Sequence, residues 1–177
     1  MRTLVLAAGL LIFAAMAMAV TLHFKSDVRP RKFVLLSVLS GGNIFVFGRE
    51  LWLRPKDDML LLAALGLFAV GAALFAMSIK ASRSAQLKLI YDADNPRFIL
   101  RDGPYRYIRH PFYTSYILYW LGCAVATLHP LNIAYIVLLV PILVLAARQE
   151  EKGFERSQLA ADYADYRRSA GLLWPKL

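Results

Sequence analysis

Residues 111–147 read PFYTSYILYWLGCAVATLHPLNIAYIVLLVPILVLAA, without a single Asp, Glu, Lys or Arg. A membrane-crossing helix takes roughly 20 predominantly apolar residues, so this run is too long for one pass. His129-Pro130 divides it near the middle. A proline there removes a backbone donor and interrupts the helical ladder. The economical reading is a tight hairpin of two spans, 111–128 and 131–147. Pro141 is placed to kink the second, which membrane helices tolerate because neighbouring groups re-satisfy the freed backbone.

Upstream of the hairpin three more uncharged blocks appear, giving spans at 3–22, 33–53 and 59–79. The uncharged part of the second is short, so Arg49 or Glu50 must face protein or reach the interface. Gly41-Gly42, Gly66 and Gly71 are small positions at which neighbouring helices could approach closely. Five spans leave a connection at 80–110 and a tail at 148–177, and nothing large enough for a soluble module. The expected fold class is therefore all-α, one polytopic membrane domain covering 1–177. Composition agrees: 59% of the 177 residues are hydrophobic, against about 45–50% in soluble domains even with glycine counted. The first span resembles a secretory signal, with Arg2 and the small residues Ala17-Met18-Ala19. Its length and the basic cluster that follows favour an uncleaved helix.

The net charge of +9 is confined to short segments between apolar runs. In a membrane protein that pattern records orientation and contact with anionic lipid, and no nucleic acid partner is expected. Lys25, Arg29, Arg31 and Lys32 fall in the first connection. Lys80, Arg83, Lys88, Arg97, Arg101, Arg106 and Arg109 fall in the long one, and Arg148, Lys152, Arg156, Arg167, Arg168 and Lys176 in the tail. Five spans put all of these on one side and leave only Arg2, Arg49, Arg54 and Lys56 opposite. The positive-inside rule makes the crowded side cytoplasmic and the N-terminus external.

Two clusters on the expected cytoplasmic side carry the chemistry. The first is Gly103-Pro104-Tyr105-Arg106-Tyr107-Ile108-Arg109-His110-Pro111-Phe112-Tyr113, which ends the long connection. Gly-Pro marks a turn, and Pro111 suits the first residue of a helix. Arg109, Tyr113 and Tyr116 then follow at i, i+4 and i+7 and can point the same way. His110 stands by the helix N-terminus, where unpaired amides favour an anion. The bland alternative is an ordinary interfacial belt. The second cluster is Arg148-Gln149-Glu150-Glu151 at the exit of the last span. Adjacent helical residues diverge by about 100°, so one of the two glutamates faces inward, and carboxylates at a helix C-terminus oppose its dipole. A specific role competes there with a plain ion pair to the basic connection. Beyond them Leu159, Tyr163, Tyr166 and Ala170 share one helical face, predicting a short interfacial helix, with Trp174-Pro175 as an anchor.

The Arg-His-Pro-x-Tyr element, the hydrophobic hairpin, Glu150-Glu151 and the Tyr163-x-x-Tyr166 tail ending in Trp174-Pro175 together resemble the isoprenylcysteine carboxyl methyltransferase family. Phospholipid methyltransferases share the signature, which covers roughly 102–175. The resemblance implies an S-adenosylmethionine-dependent methyltransferase acting on a lipophilic acceptor, with a prenylcysteine-like carboxylate as one candidate. It implies a compact protein of a prokaryotic inner membrane with its site facing the cytoplasm. It further implies that Arg109, His110, Pro111, Tyr113 and Glu150 or Glu151 line the cofactor pocket. It singles out no catalytic residue. Two departures stand out: Ser115 where many members have glycine, and Gly153 as an apparent one-residue insertion before the tail.

The residue chemistry agrees. Arg109, His110 and helix amides suit the cofactor carboxylate, a glutamate its hydroxyls or ammonium, and tyrosines its adenine and sulfonium. Rival readings are a phospholipid amine N-methyltransferase, a sterol-reductase-like protein, and a non-enzymatic membrane protein of the same fold. The reductase reading lacks a glycine-rich nucleotide fingerprint. His23, His110 and His129 are far apart, so no metal site is expected. Cys123 lies inside an apolar run, and a lone cysteine forms no intramolecular disulfide. The sequence does not set the oligomeric state.

Overall fold

The computed structural model describes residues 1–23, 31–86 and 98–176. Lys25, Arg29, Lys88 and Arg97 lie outside the described residues, as do the side chains of His23, Arg31 and Lys32. Among the described residues six α-helices follow in order: α1 Arg2–His23, α2 Arg31–Leu53, α3 Asp58–Gln86, α4 Pro111–Thr127, α5 Pro130–Glu155 and α6 Ala160–Ser169. A short 3-10 helix, Gly103–Arg106, precedes α4. The chain is an all-α membrane protein. Stretches of α1, α3 and α5 are long and apolar enough to cross a bilayer, at Arg2–Ala19, Asp58–Arg83 and Pro130–Glu155.

Two helices outrun the spans expected for them. α3 continues to Gln86 and α5 to Glu155. Charge limits how far a segment sits in hydrocarbon, but it does not stop a helix. Lys80–Gln86 is composed of ordinary helix formers with neither glycine nor proline. The extension of α5 matters most, because it carries Glu150 and Glu151 on a rigid element.

The hairpin turn falls where the proline predicted it. Leu128 adopts φ 47, and its amide donates to the Ala124 carbonyl at 2.7 Å. This left-handed residue ends α4 as a glycine usually would, and Pro130 then opens α5.

The chain divides into two compact units. The first comprises Met1–Ala72 and Tyr116–Val140. Phe68 lies at its centre, stacked on Tyr119 at 5.3 Å and edge-on to Phe47 at 5.9 Å. The Tyr119 hydroxyl donates to the Gly9 carbonyl at 3.0 Å. A Cβ at Gly122 would stand 2.6 Å from the Phe68 ring, so this glycine lets α4 close on α3. Of the small positions expected to pack, Gly42 meets Tyr135, while Gly41 and Gly66 face open space. Leu11, Phe45 and Val137 are exposed apolar residues of this unit, as a lipid-facing surface requires.

The second unit comprises Ala73–Ser115 and Pro141–Leu177. It holds both sequence clusters. Phe75 meets Phe112 edge-on at 5.3 Å. Tyr163, Tyr166 and Ala170 form a buried cluster, packed by Ile99 and Phe154. Phe154 and Tyr163 stack at 4.5 Å. The helical face predicted for the tail is the face that α6 buries.

Candidate functional site in the second unit

The backbone before α4 is held by the end of the chain. Ile108 and Gly171 form an isolated parallel bridge. The Gly171 amide donates to Tyr107 O at 3.0 Å, while the Arg109 and His110 amides donate to Gly171 O and Leu172 O at 2.8 and 3.1 Å. The Thr114 hydroxyl donates to Leu173 O at 2.5 Å, and the Tyr166 hydroxyl to Tyr105 O at 2.5 Å. A Cβ at Gly171 would collide with the Trp174 carbonyl oxygen, so only glycine lets the tail turn this tightly. The Arg109 and His110 amides, just ahead of the helix start, are thus bonded to protein.

Side chains from both clusters meet over this frame. Glu151, 6% exposed, accepts from Arg109 Nε at 2.7 Å and from Nη2 at 3.4 Å. Arg109 Nη1 donates to the Ala170 carbonyl, so the guanidinium is clamped on both edges. His110 Nε2 lies 3.3 Å from Glu151 Oε1, and Nδ1 lies 3.5 Å from Glu150 Oε2. Only an imidazolium can donate to both carboxylates. The Tyr113 hydroxyl donates to Glu150, and its ring stacks on His110 at 5.5 Å with planes 7° apart. Arg167 of α6 borders Glu151 at 3.9 Å.

The adjacent glutamates therefore divide the work. Glu151 is buried and anchors Arg109. Glu150 is 55% exposed and reaches only Tyr113 and His110 among the described contacts. Their roughly 100° divergence on α5 accounts for the split.

Burial pulls the His110 imidazole down, but the hydrogen bonds and charges of Glu150 and Glu151 outweigh it. Its pKa stands above the ordinary 6.5. Burial pushes the Tyr166 hydroxyl up to about 12. Burial and the neighbouring Glu151 charge also raise Tyr163. Both tyrosines are donors across the physiological range.

Arg109, His110, Tyr113, Glu150 and Glu151 come together in this one network. Pro111 is buried at the first position of α4 and contributes shape rather than a polar group. Tyr116 belongs to the first unit and tilts against Trp120 at 6.2 Å. Sequence reasoning missed Ala170 and Leu172 as backbone partners and Arg167 as a neighbour of Glu151. Main-chain acceptors leave no side-chain signal. Arg167 follows Tyr166, whose burial fixes the direction of its neighbour. Ser115 is buried and donates back to Pro111 O at 2.8 Å, and Gly153 meets open space.

The model of the isoprenylcysteine carboxyl methyltransferase family matches residues 62–156, just over half of the chain. The protein belongs to that family. The matched stretch includes the Arg109–Tyr113 element, the hairpin and both glutamates, whereas α6 and the tail that brace them lie beyond it. Neither a curated protein nor a solved structure matches the chain. A family of membrane methyltransferases accounts for apolar helices that end in a polar, ion-paired network.

Proposed function

We propose that the protein is an S-adenosylmethionine-dependent methyltransferase acting on a lipophilic acceptor drawn from the bilayer. The observation that supports this reading is one network joining Arg109, His110 and Tyr113 to Glu150 and Glu151. These residues come from the two stretches that carry the family signature.

The residues fit the cofactor. Glu150 is exposed enough to accept hydrogen bonds from ribose hydroxyls or the ammonium group. The stacked His110 and Tyr113 rings offer a flat face for adenine. The cofactor carboxylate would be met by the Arg167 N–H groups that Glu155 and Glu151 leave over, since Arg109 and His110 already donate to Glu150, Glu151 and Ala170. When bound, the cofactor supplies a methyl group on a positively charged sulfur. Arg109 and Glu151 act as positioning residues: they fix His110 and the start of α4. The chain's contribution to rate is alignment and exclusion of water. An ionised thiol or carboxylate acceptor needs no proton removed. An amine acceptor does, and Glu150, the exposed carboxylate of the network, is then the base.

The placement is part of the same proposal. Five spans with the N-terminus outside put this network at the cytoplasmic face, in keeping with the asymmetry of basic residues. A prokaryotic inner membrane suits so compact a chain.

Titration calorimetry of S-adenosylhomocysteine into the detergent-solubilised protein tests the reading. Binding is expected, weakened at least about tenfold by Glu150→Ala or His110→Ala, the effect of losing a charged hydrogen bond. Absence of binding by the unmodified protein would refute it. Transfer of labelled methyl to a farnesylated cysteine or to phosphatidylethanolamine then separates the two acceptor classes.

A further inference from the structure

The five-span reading leaves Arg2, Arg49, Arg54 and Lys56 opposite the crowded basic side. The function proposed above uses none of them. In the first unit three of the four converge on one carboxylate, and the fourth binds beside them. Glu50 lies in the last turn of α2 and is 1% exposed. Its Oε1 meets Arg49 Nη1 at 3.1 Å, while its Oε2 meets Lys56 Nζ at 3.4 Å and Arg54 Nε at 3.5 Å. His129 Nε2 borders Oε1 at 3.9 Å. Arg2 Nη1 donates to the Arg54 carbonyl at 3.3 Å, which brings the start of α1 to the same rim.

One carboxylate does not need so many cations. Lys56 is 12% exposed and is fixed by Glu50 and by the Thr127 carbonyl at 3.0 Å. That ammonium is the counter-charge a buried carboxylate requires. Arg49 and Arg54 are 53% and 65% exposed, and each touches Glu50 through one nitrogen. A guanidinium carries five N–H donors, so both keep most of theirs for an outside acceptor. The neighbouring acids do not take them. Asp57 Oδ1 accepts from the Met59 and Leu60 amides at 2.8 and 3.2 Å. Among the described residues neither Asp57 nor Asp58 is ion-paired with this group. The rim therefore presents surplus positive charge, held in place from beneath by Glu50.

The surroundings select the anion. Trp52 and Leu53 follow Arg49 at i+3 and i+4 and share its helical face, and both are exposed. An indole at the end of a membrane helix sits at headgroup level, with apolar neighbours against the acyl chains. A soluble anion would use the guanidiniums and not that apolar face. A phosphodiester carried on acyl chains uses both, since planar guanidiniums bind phosphate oxygens in pairs. The cation of a choline or ethanolamine headgroup would be repelled by the surplus charge, so a headgroup without one is favoured.

We propose that Arg49 and Arg54, with Arg2 beside them, form a site for the phosphodiester of an anionic phospholipid such as phosphatidylglycerol. Glu50 is the positioning residue, which holds both guanidiniums over the end of α2. The inference does not rest on the methyltransferase reading.

The full chain is reconstituted in nanodiscs of equal phosphatidylglycerol and phosphatidylcholine, one of the two carrying a diazirine on its acyl chain close to the glycerol. The peptide spanning 49–59 should take at least about fivefold more label from phosphatidylglycerol. Arg49→Gln combined with Arg54→Gln should bring the ratio close to one. Equal labelling by the two lipids on the unmodified protein overturns the proposal without needing a variant to fold. A ratio unchanged in the double variant overturns it as well, because the preference would then arise from charge elsewhere. Added inorganic phosphate should leave the label in place; loss of the label would assign the rim to a soluble anion and overturn the lipid.

Discussion

Replacing Glu151 by leucine should damage the second unit far more than the same change at Glu150. Glu151 is 6% exposed and, among the described residues, is the carboxylate paired with Arg109, itself 8% exposed. Removing it leaves a buried guanidinium without a counter-charge. Breaking a buried pair in this way costs about 3–5 kcal/mol. Glu150 is 55% exposed, and solvent screening limits its loss to below about 1 kcal/mol. The assay is amide hydrogen exchange in detergent micelles, read at the Arg109, His110 and Gly171 amides that join the tail to the α4 entry. Their protection should fall about a hundredfold or more in Glu151→Leu, at about 1.4 kcal/mol per tenfold, and by less than about tenfold in Glu150→Leu. Arg109→Met combined with Glu151→Leu should recover part of the loss, because neither charge is then left alone. Equal exchange in the two single variants would refute the division between a buried anchor and an exposed ligand-facing carboxylate.

Gly171→Ala should open the same clamp by driving a methyl into the Trp174 carbonyl, at a cost of about 2 kcal/mol or more, and thermal unfolding would report it. Leu128→Gly should stabilise the hairpin by about 1 kcal/mol, since leucine there occupies a left-handed conformation and is 58% exposed; a lowered melting temperature would contradict this. Because His110 has its folded pKa raised above 6.5, its contribution is fully present below that value and is lost as pH rises through the folded pKa. Melting curves between pH 5 and 9 should show that decline, and His110→Gln should flatten it.

The membrane character, the hairpin and the amphipathic tail were legible because each rests on local pattern: charge-free length, one proline, one buried face at helical spacing. The ends of α3 and α5 were not, since the sequence marks where hydrocarbon stops and not where a helix stops. The convergence of Arg109, His110, Tyr113 and the glutamates was readable from spacing and family signature together. Which glutamate is buried depended on the phase of α5, and an apparent insertion at Gly153 obscured it. The clamp by residues 170–173 was invisible. It is made by carbonyls and amides that every residue possesses, and its only sequence trace is the glycine at 171.

That clamp has a consequence for how the protein is made. The loop bearing Arg109 and His110 emerges from the ribosome some sixty residues ahead of Gly171 and Leu172, the acceptors for its two amides. Until those late residues are synthesised, this edge can only hydrate. A nascent chain stalled after α5 would have its helices inserted and its charged residues present, yet lack the shape that lets them act together. Assembly of the site thus waits on Gly171 and Leu172, well after the helices that carry its charged groups.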